Sequence, residues 1–276
     1  PRGVVAMSAG GAELGALRRE IDEIDAAILE LLGRRMAVCR EVARVKAGAG
    51  AGVIQPARVR EVLATRRQWA GARGVDPAFA DQLFRVLLAE THRLEVAEGA
   101  SGHAAATGGA ASRDPHAAPS SDPLADALSD LATVACRIDH VVVAVASLAP
   151  AVAFLRALGF APRDTGDPGI VTCDAGGVSV VLVGPGDAAV DAHLAAHGSG
   201  VQHIAIEVLD AGHVREALRR AGVPLLTDVI VDSDGHEQVF TVLDPSTGVQ
   251  LGFISRTGSR VPVNGQNVRA LFRALR

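Results

Sequence analysis

Nine apolar residues recur along one stretch of this chain at steps of three and four: Leu14, Leu17, Ile21, Ile24, Ile28, Leu31, Val38, Val42 and Val45. Such spacing keeps one face of an α-helix apolar from end to end. A helix over 12–47 is about 50 Å long at 1.5 Å per residue. The two shorter helical stretches that follow cannot cover so long a stripe. The helix must kink or meet a second chain, and an intertwined homodimer is expected.

One step of the seam lands on Arg35. A guanidinium in an apolar interior costs several kcal/mol unless an anion meets it. That anion is either a carboxylate of a neighbouring helix or a ligand. Lys46 follows eleven residues later, about three turns on and at nearly the same azimuth. It is the only lysine among 27 basic residues. Two long cationic arms on one face can converge on a small dianion. Arg18 lies about 25 Å from Arg35 along the helix, so only a partner chain's copy could reach the same ligand. Taken singly, Arg18 and Lys46 also fit a solvated helix face.

Glycines and alanines at 48–52 end this helix, and Pro56 opens a second one over 56–71 that carries Arg58, Arg60, Arg66 and Arg67. Asp76-Pro77 is a helix start, with Asp as cap and Pro in the first turn. The third helix runs to about residue 98, with Phe84, Leu88, Thr91 and Glu95 on one face. Glu95 is therefore either a buried carboxyl with a raised pKa, able to donate a hydrogen bond, or an exposed residue at a fraying end. These helices define an all-α domain over 12–98. Residues 99–121 are small, polar and punctuated by Gly and Pro, which marks a flexible linker. It extends to 134 and includes a short helix over 122–133.

From 135 to 276 strand-like runs alternate with helical stretches. Two arcs repeat: 138–145, a helix over 148–158 and strands near 169–174 and 178–184, then 200–208, a helix over 210–221 and strands near 225–232, 236–243 and 248–255. The first strand of each arc carries a histidine, His140 and His203, on one strand face. Two such histidines suit a metal site, whereas a lone strand histidine is usually structural. The expected whole is a multidomain chain, all-α followed by an α+β domain of paired βαβββ modules.

A net charge of −4 argues against a nucleic-acid partner held by overall charge, and no run of 18 apolar residues suggests a membrane span. Residues 1–11 lack the apolar run of a secretory leader, and Met7 is a candidate start. Three cysteines at 39, 136 and 173 show no paired or metal-binding spacing, which points to a reducing cytoplasm.

The segments LGALRREIDEIDAAILELLGRRMAVCREVARVK, PARV and FADQLFRVLLAETHRLE resemble the all-helical chorismate mutases, and isochorismate-pyruvate lyase is similar. The resemblance implies a cofactor-free isomerase of the shikimate pathway and aromatic amino acid biosynthesis, turning chorismate into prephenate. It implies a cationic site of Arg35, Lys46 and Arg58 with Arg18 from the other subunit, and Glu95 at the ether oxygen of the breaking C–O bond. Gln55, Val59 and Thr91 become substrate contacts. Mutases usually carry Glu at the position of Val59 to hold the substrate hydroxyl, and an acidic residue at that of Gln55. In this respect VIQPARV is nearer the lyase, so isochorismate lysis or rearrangement is the alternative. A non-catalytic sensor of aromatic metabolites is an alternative of another class.

IDHVVVAV, GVQHIAIEV, EQVFT and the tail GQNVRALFRAL resemble the vicinal oxygen chelate superfamily, and within it one domain of 4-hydroxyphenylpyruvate dioxygenase. That resemblance implies a divalent metal, Fe2+, on His140 and His203. The third ligand, a Glu on the last strand, falls at Gly252, which has no side chain to offer. Gln250 and Glu237 lie nearby as other candidates, and a metal-free module that binds an aromatic acid is the other reading.

Overall fold

The computed structural model describes residues 2–49, 55–100, 129, 131–248, 250–256 and 265–274. Residues 50–52 of the loop expected over 48–52, and residues 101–128 of the linker expected over 99–134, lie outside the described residues. Three helices come first: α1 (Arg2–Ala49), α2 (Pro56–Gly71) and α3 (Pro77–Ala100). At 48 residues, α1 begins ten residues before the expected start and is about 72 Å long. No proline interrupts the segment over 2–11.

The start of α3 is set by Asp76, whose Oδ1 accepts from the backbone N–H of Ala78 at 2.6 Å and of Phe79 at 3.0 Å. The C-terminal third of α1 packs on α3. It does so through Arg35, Cys39, Ala43 and Lys46, a row at spacings of four, four and three. Arg35 thus stands where the apolar seam meets this inward row, four residues after Leu31 and four before Cys39. The nine seam residues are between 41% and 72% exposed.

The remaining chain folds as β1 (Ala135–Ala144), α4 (Leu148–Ala157), β2 (Ala161–Asp164), β3 (Ile170–Ala175), β4 (Val178–Val183), α5 (Ala188–His197), β5 (Gly200–Val208), α6 (Ala211–Arg220), β6 (Ile230–Val231), β7 (Glu237–Phe240), β8 (Leu251–Ser255) and α7 (Gly265–Ala274). One eight-stranded sheet has the order β2-β3-β4-β1-β5-β8-β7-β6. Each half is a βαβββ module, and the two first strands, β1 and β5, pair antiparallel at the centre. The strand expected over 225–232 contracts to Ile230–Val231 plus a single bridge from Leu225 to Thr241. It is the sheet's edge, with one neighbour to hold it.

The two parts share a core. Val59, Leu63 and Ala89 of the helical part cluster with Val134, Val208, Leu209, Val214, Leu218 and Phe253 of the sheet part. Arg85 of α3 reinforces this contact by donating to the carbonyls of Ala132 (2.9 Å) and Ala135 (2.8 Å). A second core lies on the other face of the sheet, where α7 places Val268 and Phe272 against Val142, Ile170 and Val181. Among the described residues no helix is long and apolar enough to cross a membrane.

Candidate active site

A cavity of about 100 Å³ opens between the three helices. Seven residues singled out in the sequence line it: Lys46 from α1, Gln55, Arg58 and Val59 from the start of α2, and Leu88, Thr91 and Glu95 from α3. Arg35 adjoins it through Thr91, donating to Oγ1 at 2.6 Å and to the Leu87 carbonyl at 3.4 Å. Its partners are neutral oxygens, so its charge is oriented without being neutralised. Arg18 stays on the exposed part of α1, away from this cavity.

Lys46 Nζ donates to Glu95 Oε2 at 2.8 Å, and both side chains are largely shielded, at 22% and 9% exposure. Glu95 is thus buried, not fraying, and meets an ammonium. Arg58 is over half exposed and pairs with Glu61 at 2.7 Å, a contact worth little in water and readily exchanged for a ligand carboxylate. Val59 is buried and gives the cavity an apolar side.

Two lining residues carried no local signal in the sequence. Leu209 comes from the junction of β5 and α6, more than a hundred residues beyond the helices. His92 follows Thr91 on α3, and its neighbours become clear only once the sheet domain has docked. Burial pushes the His92 imidazole down to about 4; Lys46 acts in the same direction and Asp210 opposes it. The unfolded chain, with His near 6.5, therefore binds more protons than the folded one between these values. Stability from this group is present above about pH 6.5 and is lost as pH falls toward 4, with a ceiling of about 3 kcal/mol. Thermal melts from pH 7 to 4 should show this acid sensitivity, and His92→Asn should blunt it.

The sequence model of the chorismate mutase type II family matches residues 17–96. Over 84 residues the chain is 39% identical to the T-protein of Enterobacter agglomerans, covering 30% of this chain and 22% of that one. It therefore spans about a fifth of that relative's length. Over 75 residues it is 37% identical to the isochorismate pyruvate lyase of Pseudomonas aeruginosa, covering 27% of this chain and 73% of that one. Over 83 residues it is 34% identical to the 4-amino-4-deoxychorismate mutase of Streptomyces venezuelae, covering 30% of this chain and 81% of that one. The chain belongs to the chorismate mutase type II family. Beyond this mutase domain, the model of the glyoxalase/bleomycin resistance protein/dioxygenase superfamily matches residues 139–240.

In that second domain, as in the mutase domain, the sheet register decides which side chains meet. Thr172, Val181, Val142 and His203 are successive cross-strand partners and so share one face. His140 joins them, its ring 5.6 Å from that of His203. His140 Nδ1 lies 2.6 Å from Asp139, which also takes two hydrogen bonds from Arg256. Burial pushes the Asp139 carboxyl up, but Arg256 and His140 outweigh it and hold it well below the usual range. Burial and His140 keep His203 well below the usual imidazole range, hence neutral. Its Nδ1 meets Gln202 Oε1 at 2.5 Å, so its Nε2 carries the lone pair. The Nε2 atoms of both histidines are buried without a hydrogen-bond partner, as are Thr172 Oγ1 and Asn267 Nδ2 of α7.

This pair does not fit a three-ligand iron site. A Cβ at Gly252 would lie 2.7 Å from Cε1 of Phe240 and 3.3 Å from the His203 ring, so an aromatic ring fills the space of the missing carboxylate. Gln250 is committed, accepting from Gln202 at 2.5 Å and donating to the Thr241 carbonyl at 2.8 Å. Glu237 alternates with Phe240 along β7 and faces the other side of the sheet, where burial and Asp210 push its carboxyl up. The expected Fe2+ on His140 and His203 keeps its two imidazoles but finds no third side-chain ligand at Gly252. Elsewhere, Asp232, Asp234 and His236 could offer ligand atoms within 4.8 Å of one another, but Asp232 already binds the backbone N–H groups of Asp234 and His236.

Proposed function

We propose that the mutase domain rearranges chorismate to prephenate without a cofactor, in a cytoplasmic homodimer. The observation that supports this most is one cavity holding Lys46, Arg58 and Glu95, with Arg35 fixed beside it by Thr91. A pericyclic reaction of a dianion needs no covalent nucleophile. It needs the enolpyruvyl arm held over the ring and charge on the ether oxygen stabilised. Arginine forks suit the two carboxylates. Lys46, a compact donor, suits the ether oxygen from one side, and Glu95, 2.8 Å from that ammonium, stands at the same oxygen's place. The exposed seam of α1 supports a partner chain, whose Arg18 supplies the remaining cation.

Glu95 distinguishes a donor from a mere counter-ion. Glu95→Gln keeps a donor at that place and is expected to retain turnover within about tenfold, while Glu95→Ala should lose about 10²–10³-fold, the usual loss for one transition-state donor. Steady-state rates of both variants check this.

Val59 favours a second reading. Where a hydroxyl-binding acid would stand, the cavity presents a buried branched alkyl group, which suits a substrate with its hydroxyl elsewhere on the ring. Incubating the protein separately with chorismate and isochorismate decides between them. Prephenate supports the first reading, and pyruvate with salicylate the second. Tight binding without any product would leave the chain a sensor. For the second domain, the unpartnered Nε2, hydroxyl and amide atoms support a small-molecule binding module.

A further inference from the structure

The mutase cavity is not made by the mutase helices alone. Leu209, which directly follows β5 in the other domain, is one of its lining residues and is 3% exposed. Its backbone is held at both ends: its N–H donates to the Val134 carbonyl at 3.0 Å, and its carbonyl accepts from Ser255 Oγ at 3.2 Å. A side chain on so fixed a backbone is a wall, not a flap. It packs with Val59 and Leu63 of α2 in the shared core. The next residue, Asp210, caps α6 by accepting from the His213 N–H at 2.7 Å and lies near enough to His92 to act on it electrostatically.

From this we infer that the C-terminal domain completes the mutase pocket, with Leu209 as the wall residue that sets the room available to the substrate ring. The inference rests on the reading of this cavity as the mutase site. It assigns the second domain a part in the first domain's chemistry that does not depend on any ligand of its own. An apolar wall beside Val59 selects for an apolar edge of the substrate, because a hydroxyl pressed there would lose its hydrogen bond to water.

The test uses the full chain with Leu209→Ala, Leu209→Trp and, as a milder change, Leu209→Val. Leu218→Ala serves as control, since it removes the same volume from the same shared core but does not line the cavity. Leu209→Ala is expected to lower kcat/KM for the turned-over substrate about tenfold or more, as for a lost hydrophobic pocket contact. Leu209→Trp should lower it further by filling the cavity. Leu218→Ala should stay within about twofold, since effects of sites that share no ligand do not couple to it. A readout that needs no turnover is the His92 imidazole followed by NMR. Opening the wall admits water, so His92 should titrate closer to its ordinary range in Leu209→Ala and Leu209→Val but not in Leu218→Ala. If Leu209 and Leu218 variants are indistinguishable by both readouts, the wall is refuted. If the unaltered chain turns over neither chorismate nor isochorismate, the functional reading fails by itself, and the His92 comparison still decides the wall.

Discussion

Lys46→Ala is expected to lower turnover roughly 10²–10³-fold, the loss typical for one donor aimed at developing negative charge. The ammonium is the compact donor at the cavity, held at 2.8 Å from Glu95. Stability has to be separated from catalysis, because removing one partner of a shielded ion pair strands the other and can cost about 3–5 kcal/mol. The double variant Lys46→Ala, Glu95→Gln removes the stranded charge. It should recover most of the lost melting temperature while the rate stays low. Lys46→Arg keeps the charge but brings a planar fork of different reach, so it should not restore the rate. Recovery of rate in the double variant would show that Lys46 only supports the fold.

The largest structural effect is expected from Ile24→Glu combined with Ile28→Glu. Both residues sit in the seam of α1, about half exposed in a single chain. In an intertwined dimer four such side chains would be buried, at about 1.5–3 kcal/mol each. An upper estimate of about 6–12 kcal/mol moves the dissociation constant by four orders of magnitude or more. Sedimentation should find the double variant monomeric, with turnover lost alongside, since Arg18 would no longer reach a partner's cavity. A mixing experiment isolates that last point. Arg18→Ala and Lys46→Ala chains are each impaired, yet a mixed dimer holds one site with both residues intact. Statistical exchange in a two-fold symmetric dimer should restore roughly a quarter of the activity. No recovery on mixing would mean that each site is built from one chain.

What could be read from the sequence was what short-range physics decides. The seam of α1, the Asp76-Pro77 start and the alternation that puts His140 and His203 on first strands are all local patterns. Strand β2 escaped because it is a four-residue edge carrying Pro162, with no apolar alternation to announce it. Helix α5 escaped because its alanine-rich segment buries only Ala189 and Val190 and shows no periodic face. Arg35 stands where the seam and the α3-facing row meet, four residues after Leu31 and four before Cys39, and its partner Thr91 lies on another helix. Leu209 and the ring of Phe240 at Gly252 depend on register and docking between distant segments, which no local pattern encodes.

Because Lys46 is the chain's single lysine, the molecule carries one side-chain amine, and that amine sits at the cavity. An amine-directed acylating reagent has no other side chain to find. Acylation located at Lys46, as distinct from that at the α-amino terminus, therefore reports whether the pocket is open, and a ligand's protection of that one nitrogen reads occupancy directly.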